Sequence, residues 1–183
     1  LFTIPLLKAS SFQPINKTML HPTLYYHWKV KFLKTIKQNY SKAPFFEQTY
    51  SLIEKVLDAS YENVSQLAIN SIVAVFGHLG KQIEWVSSSV CSPNTKGIDK
   101  TDRILEITKD LDCEIYVNPI GGQDLYSKQD FEKREVQLYF LKPRESTYKQ
   151  FEDYFVPSLS IIDVLMFNDK NIVCEYLLNY DLL

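Results

Sequence analysis

Between Leu24 and Tyr40 the apolar side chains Tyr25, Trp28, Phe32, Ile36 and Tyr40 recur every three or four residues, with lysines between them. That spacing lines one face of an α-helix. Ser41-Lys42-Ala43-Pro44 interrupts it, and Pro44 suits the start of a second helix that ends near Leu57 and turns Phe45, Thr49, Leu52, Ile53 and Val56 inward. A third helix, about residues 64–79, has the most regular stripe: Val64, Leu67, Ala68, Ser71, Ile72, Val75, Phe76 and Leu79. Asn63 stands where an N-cap belongs and Gly80 just past the end. Ahead of these helices, residues 1–7 and 15–20 read as two short strands. Behind them the pattern alternates: a strand at 83–87, a loop through 91–97, a helix at 100–111 with Ile104, Ile107 and Leu111 inward, and a strand at 113–117. A turn at 118–122, a short helix at 123–133, a strand at 136–141 and a last helix at 171–180 follow.

The alternation predicts crossover connections and an α/β fold: a small, mostly parallel sheet flanked by helices, with a helical N-terminal half. A chain of 183 residues, 45% hydrophobic and 14% aromatic, can bury one sizeable core, so a single domain over 1–183 is expected. The chain opens Leu1-Phe2-Thr3-Ile4-Pro5, without Met and as though inside a strand, and reads as a piece lacking an N-terminal segment. No apolar run approaches the roughly 18 residues of a membrane span, and no charged-then-apolar leader is visible. Cys91, Cys113 and Cys174 are widely spaced and odd in number, which argues against a disulfide scaffold or structural zinc and for a reducing, cytoplasmic location.

Charge sharpens the picture. Seven lysines and no acid precede Glu47, whereas the remainder holds 13 basic and 22 acidic residues, so the net −2 divides into +7 and −9. Such a field steers anionic ligands. Nucleic acid is not the expected partner, because only Arg103, Arg134 and Arg144 offer the bidentate fork used to read bases. The bland alternative is that the basic segment docks on the acidic remainder.

With five glycines, a dinucleotide fingerprint and a phosphate loop are both ruled out. His21, His27 and His78 lack zinc spacing, so no metal site is expected, and no cofactor is indicated. Gly121-Gly122, after the 113–117 strand, can let backbone N–H groups approach a phosphate or carboxylate; it can equally be a left-handed turn with no ligand. Lys100 and Arg103 open a helix, where Asp99 or Thr101 can cap it, and can also reach an anion at the sheet edge. His27-Trp28-Lys29 with Lys31 can stack on and pair with a nucleotide or sugar, although Trp28 falls on the apolar stripe.

The densest segment is Phe155 to Asn168. Pro157 fits a helix's first turn, and the following residues are apolar on nearly every side except for Asp163. A carboxylate in that setting needs partners, and backbone N–H groups or a basic side chain from the N-terminal half are expected to supply them.

This run, nearly residue for residue, resembles the C-terminal signature of the WbqC-like family, associated with bacterial surface-polysaccharide (O-antigen) clusters. The resemblance extends in order through Leu1 to Pro5, Trp28 to Pro44, Lys100 to Ile107, Gly121-Gly122 with Tyr126, and Tyr148 with Gln150. Four departures stand out. Phe32 replaces a His of the family pattern, Glu145-Ser146 a His-Pro, Asn118-Pro119 a Ser-Gly, and Asp112 a Gly in a helix-to-strand turn.

The resemblance implies a cytoplasmic transferase of surface-polysaccharide biosynthesis that moves glycine or another aminoacyl group to a sugar, with a phosphate-bearing sugar or acyl donor as partner. The two missing histidines motivate the other reading, a non-catalytic binding or scaffold protein of the same pathway. Lys29, Lys31, Lys42, Lys100, Arg103, Gly121 and Gly122, joined by Tyr126 and Gln150 from the resemblance, form the candidate substrate-binding set; no catalytic residue is assigned.

Overall fold

A computed structural model describes residues 2–183. Its elements run α1 (Leu24–Tyr40), α2 (Phe46–Asp58), α3 (Val64–His78), α4 (Ser88–Cys91), α5 (Lys100–Asp110), β1 (Ile115–Pro119), α6 (Lys128–Glu132), β2 (Gln137–Pro143), α7 (Ile161–Phe167), α8 (Lys170–Tyr176) and β3 (Tyr180–Leu182). They pack as two compact units. The first runs to Ile83 and resumes over Thr147–Tyr176; the second comprises Glu84–Ser146 and Leu177–Leu183.

In the first unit the stripes of α1 and α2 meet around Ile36, Phe46, Ile53, Leu57 and Leu67, with Met166 of α7 fully buried among them. A second cluster joins Leu79, Leu165 and Val173. Asn63 caps α3 by accepting from the Gln66 N–H. The helix closes in a Schellman turn, with the Lys81 N–H on the Phe76 carbonyl, the Gly80 N–H on the Gly77 carbonyl, and Gly80 at φ 71°. The α3 stripe is less buried than its regularity predicts: Leu67 is inside, but Ile72 is 53% exposed. The two expected N-terminal strands reduce to isolated antiparallel bridges, Leu6 to Leu20 and Met19 to Asn63, because residues 15–17 coil into a 3-10 turn. Leu1, the first residue of that expectation, lies outside the described residues.

The helix expected from Pro157 begins four residues later. Ser158 takes a left-handed φ of 58°, and Ser160 accepts from the Ile162 N–H, so the cap falls at Ser160 and not before Pro157. The carbonyl end of α7 is satisfied by α2 and the residue that precedes it. The Thr49 hydroxyl donates to Leu165 O at 3.0 Å and the Phe45 N–H to Met166 O at 3.0 Å.

The second unit is an α/β layer with sheet order β1-β2-β3. β1 and β2 are parallel, registered from Ile115 opposite Gln137 to Pro119 opposite Leu141, and α6 lies on the crossover between them. β3 adds antiparallel to β2, making the sheet mixed; its first residue, Tyr180, had read as the end of the last helix, which stops at Tyr176. Residues 83–87 form no strand, and Trp85 and Val86 stay exposed. Phe131 is fully buried with Leu105, Val136, Leu138 and Phe140, and stacks on Tyr116 with centroids 5.6 Å apart.

Candidate functional site

Asp163 sits in the first turn of α7 and is 4% exposed. Three donors converge on it. The Tyr148 hydroxyl donates to Oδ1 at 2.6 Å, Gln150 Nε2 to Oδ1 at 2.9 Å, and the Tyr40 hydroxyl to Oδ2 at 2.9 Å. The expected backbone N–H groups or basic side chain are replaced by two phenols and an amide. Tyr40 arrives as the last residue of α1. Tyr148 and Gln150 are two residues apart, the interval at which an extended chain returns to one side.

The arrangement is held from behind. Gln150 accepts from the Val156 N–H at 2.8 Å and donates to the Val156 carbonyl at 3.2 Å, which fastens the 151–160 loop beside the carboxylate. Tyr148 packs against Phe155 at 5.1 Å and Phe167 at 6.4 Å. Burial first, then the hydrogen bond to Asp163, pushes the Tyr40 hydroxyl up to about 12. The same two causes, in the same order, raise Tyr148. Both phenols therefore keep their protons at neutral pH and remain donors to an acceptor-only carboxylate.

Asp163 forms part of the wall of a cleft of about 740 Å³, a size common for small-molecule sites. Its sides are largely aromatic, with Phe32, Tyr40, Phe151, Tyr154 and Phe167 prominent. Phe151 meets Phe167 edge to face at 4.8 Å. Phe32 is stacked on Trp28 at 5.1 Å, so Trp28 is packed within the aromatic row its helical spacing predicted. The described lining contains no lysine, arginine, histidine or cysteine.

Of the nine candidate substrate-binding residues, Gln150 alone is in this cleft's described lining. Lys29 is ion-paired with Asp58 at 2.6 Å, while Lys31 and Lys42 are exposed. Lys100, Arg103, Gly121, Gly122 and Tyr126 belong to the second unit. There Lys100 and Arg103 are exposed on the first turn of α5, and Asp99 makes no side-chain cap. Gly121 and Gly122 form a 3-10 turn and not a left-handed one; only Gly80 and Gly97 among the glycines have positive φ. Gly122 lies close under the Asn118 side chain: a Cβ there would stand 1.9 Å from Asn118 Nδ2 and the amide would have to shift. Tyr126 packs edge-on against Phe131 at 6.0 Å. No group of three or more His, Cys, Asp or Glu among the described residues is placed to hold a metal.

The model of the WbqC-like protein family matches residues 1–174. The chain belongs to the WbqC-like protein family. The family suggests a role in polysaccharide-associated biosynthesis. No curated protein and no solved structure matches the chain. Two departures of this WbqC-like chain from the family pattern now have a place. Phe32 is on the cleft wall. Asp112 takes φ 52° at the end of α5, where the Cys113 N–H reaches the Thr108 carbonyl and the Asp112 N–H the Lys109 carbonyl. That is the left-handed position of a Schellman turn, a position that favours glycine. Among the described residues no helix is long and apolar enough to cross a membrane.

Proposed function

We propose that this chain is a transferase of bacterial surface-polysaccharide (O-antigen) biosynthesis that holds its sugar acceptor in the cleft of the first unit and places an acyl or aminoacyl group, glycine included, on it. The observation that carries the reading is the buried Asp163, set by Tyr40, Tyr148 and Gln150 into an aromatic cleft of ligand size. Aromatic walls suit the apolar faces of a sugar ring. Oδ2 accepts a single hydrogen bond and keeps a free acceptor direction, so it is the base available to the acceptor's nucleophile. A phosphate-bearing donor is then held outside the cleft, at exposed cations of the same unit such as Lys31 or Lys42, and the site of action is cytoplasmic.

A specific observation favours the second reading, a non-catalytic binding or scaffold protein of the same pathway. The cleft wall carries Phe32 where the family pattern has histidine, and no other described lining residue is the usual proton carrier near neutral pH. A thermal-shift screen against sugars, nucleotide-sugars and acyl donors, followed by a transfer assay on whatever binds, tests both. A ligand at about a hundred times its Kd adds roughly 2.7 kcal/mol. Transfer by the unmodified protein refutes the scaffold reading. Binding without transfer, gained only in the Phe32→His, Glu145→His double variant, refutes the transferase reading.

A further inference from the structure

The cleft of the first unit has a charge that nothing in its described walls balances. Asp163 takes part in none of the ion pairs among the described residues, and its three partners are neutral donors. The hydrogen bonds solvate the carboxylate without neutralising it, and a buried charge ordinarily has a counter-charge. Glu152 adds a second carboxylate to the lining, which includes no basic side chain.

The hydrogen-bond inventory around Asp163 points the same way. Tyr40 and Tyr148 each have one O–H, and both are spent on Asp163. Gln150 spends its amide nitrogen on Asp163 and Val156, and its oxygen on Val156. Asp163 and Tyr40, the two of them that line the cleft beside Gln150, still offer an occupant oxygen lone pairs. At Asp163 the occupant has to bring both the proton and the positive charge. Aromatic rings are prominent in the lining, and a cation over a ring face is attracted further once water is displaced. A phosphate meets two carboxylates and finds no cation.

Resting on the reading of this cleft as the ligand site, we propose that it binds a primary ammonium group on a small, apolar-faced body, with Asp163 as counter-ion and the rings of Tyr40, Phe151 and Phe167 as walls. The amine of an amino sugar and the α-amine of an aminoacyl group share this chemistry.

Calorimetric titration of the full chain, at a pH where amines are protonated, separates the possibilities. The probes are glucosamine, glucose, N-acetylglucosamine, glycine methyl ester and glucose 1-phosphate. Glucosamine or the glycine ester should bind on the order of tenfold or more tighter than the uncharged sugars. Preference for the first identifies an amino sugar, and preference for the second an aminoacyl group. Asp163→Asn should remove the preference for amines. Glu152→Gln, at an exposed position, should lower amine affinity several-fold with an unchanged melting temperature, and it carries the test if Asp163→Asn does not fold. Equal binding of glucosamine and glucose overturns the ammonium inference and leaves the sugar cleft standing. No binding by any probe, or glucose 1-phosphate binding tightest in a manner insensitive to Glu152→Gln and Asp163→Asn, overturns both.

Discussion

A carboxylate hydrogen-bonded by three side chains is a point where one substitution is felt by three segments. Asp163→Ala strips the partners from two phenols and an amide and should cost about 1–3 kcal/mol in a denaturant titration. Asp163→Asn retains an acceptor and should cost less. The phenols give a pH signature. Tyr40 rises from the ordinary 10.0 to about 12, Tyr25 likewise through burial and then its neighbours Tyr61 and Asp58, and Tyr148 in the same direction. A raised folded value means that the unfolded chain releases these protons first. Their contribution is therefore complete below pH 10 and declines as the pH climbs toward 12. Tyrosinate absorbance should show a late-titrating group among the twelve tyrosines, reduced in Tyr40→Phe. Asp112 offers the opposite case. Its φ of 52° is strained for most side chains and free for glycine, so Asp112→Gly should stabilise the fold by roughly 0.5–1 kcal/mol, read as a rise in melting temperature.

Among the elements, the union of α2 and α7 depends on a polar contact inside an apolar core. Thr49 is fully buried and its hydroxyl is the α2 side chain that meets Leu165 O. Thr49→Val keeps the shape, removes that donor, and should cost about 1–3 kcal/mol in urea melts, whereas Thr49→Ser should retain the bond and lose only the methyl packing. The helices were legible because periodicity is local: the stripe from Tyr25 to Tyr40 and the Asn63 and Gly80 caps each depend on residues within a few positions. The β3 strand was not legible, since Tyr180–Leu182 is a strand only through pairing with β2 about forty residues earlier. The start of α7 was misjudged for a related reason, with Pro157 and Ser160 both acceptable openings and a backbone turn at Ser158 choosing between them. The candidate site was half visible. Asp163 stood out as the lone charge in an apolar run and the family resemblance paired Tyr148 with Gln150, but Tyr40 is 123 residues from Asp163 and no spacing rule connects them.

On the scale of the whole molecule, each unit is assembled from separated stretches of chain. The second unit is closed by its last residues. β3 pairs with β2, Leu183 and Phe140 exchange backbone hydrogen bonds, and Arg144 is ion-paired with Asp181. Deleting residues 177–183 should expose the edge of β2, and hydrogen exchange should show protection lost over 137–143 while α1 and α2 retain theirs. The discontinuity of the first unit reaches into synthesis itself. As the chain leaves the ribosome, α1 to α3 emerge first and can collapse on local contacts, but Met166, Leu165 and Asp163 emerge only after the whole of residues 84–146. Closing a loop of that length is slow compared with local helix packing. For that interval Tyr40 has no carboxylate and Thr49 no carbonyl to meet, so the growing chain is a helical half-core until its own late segment arrives, and a chaperone that shields this surface would act in that interval.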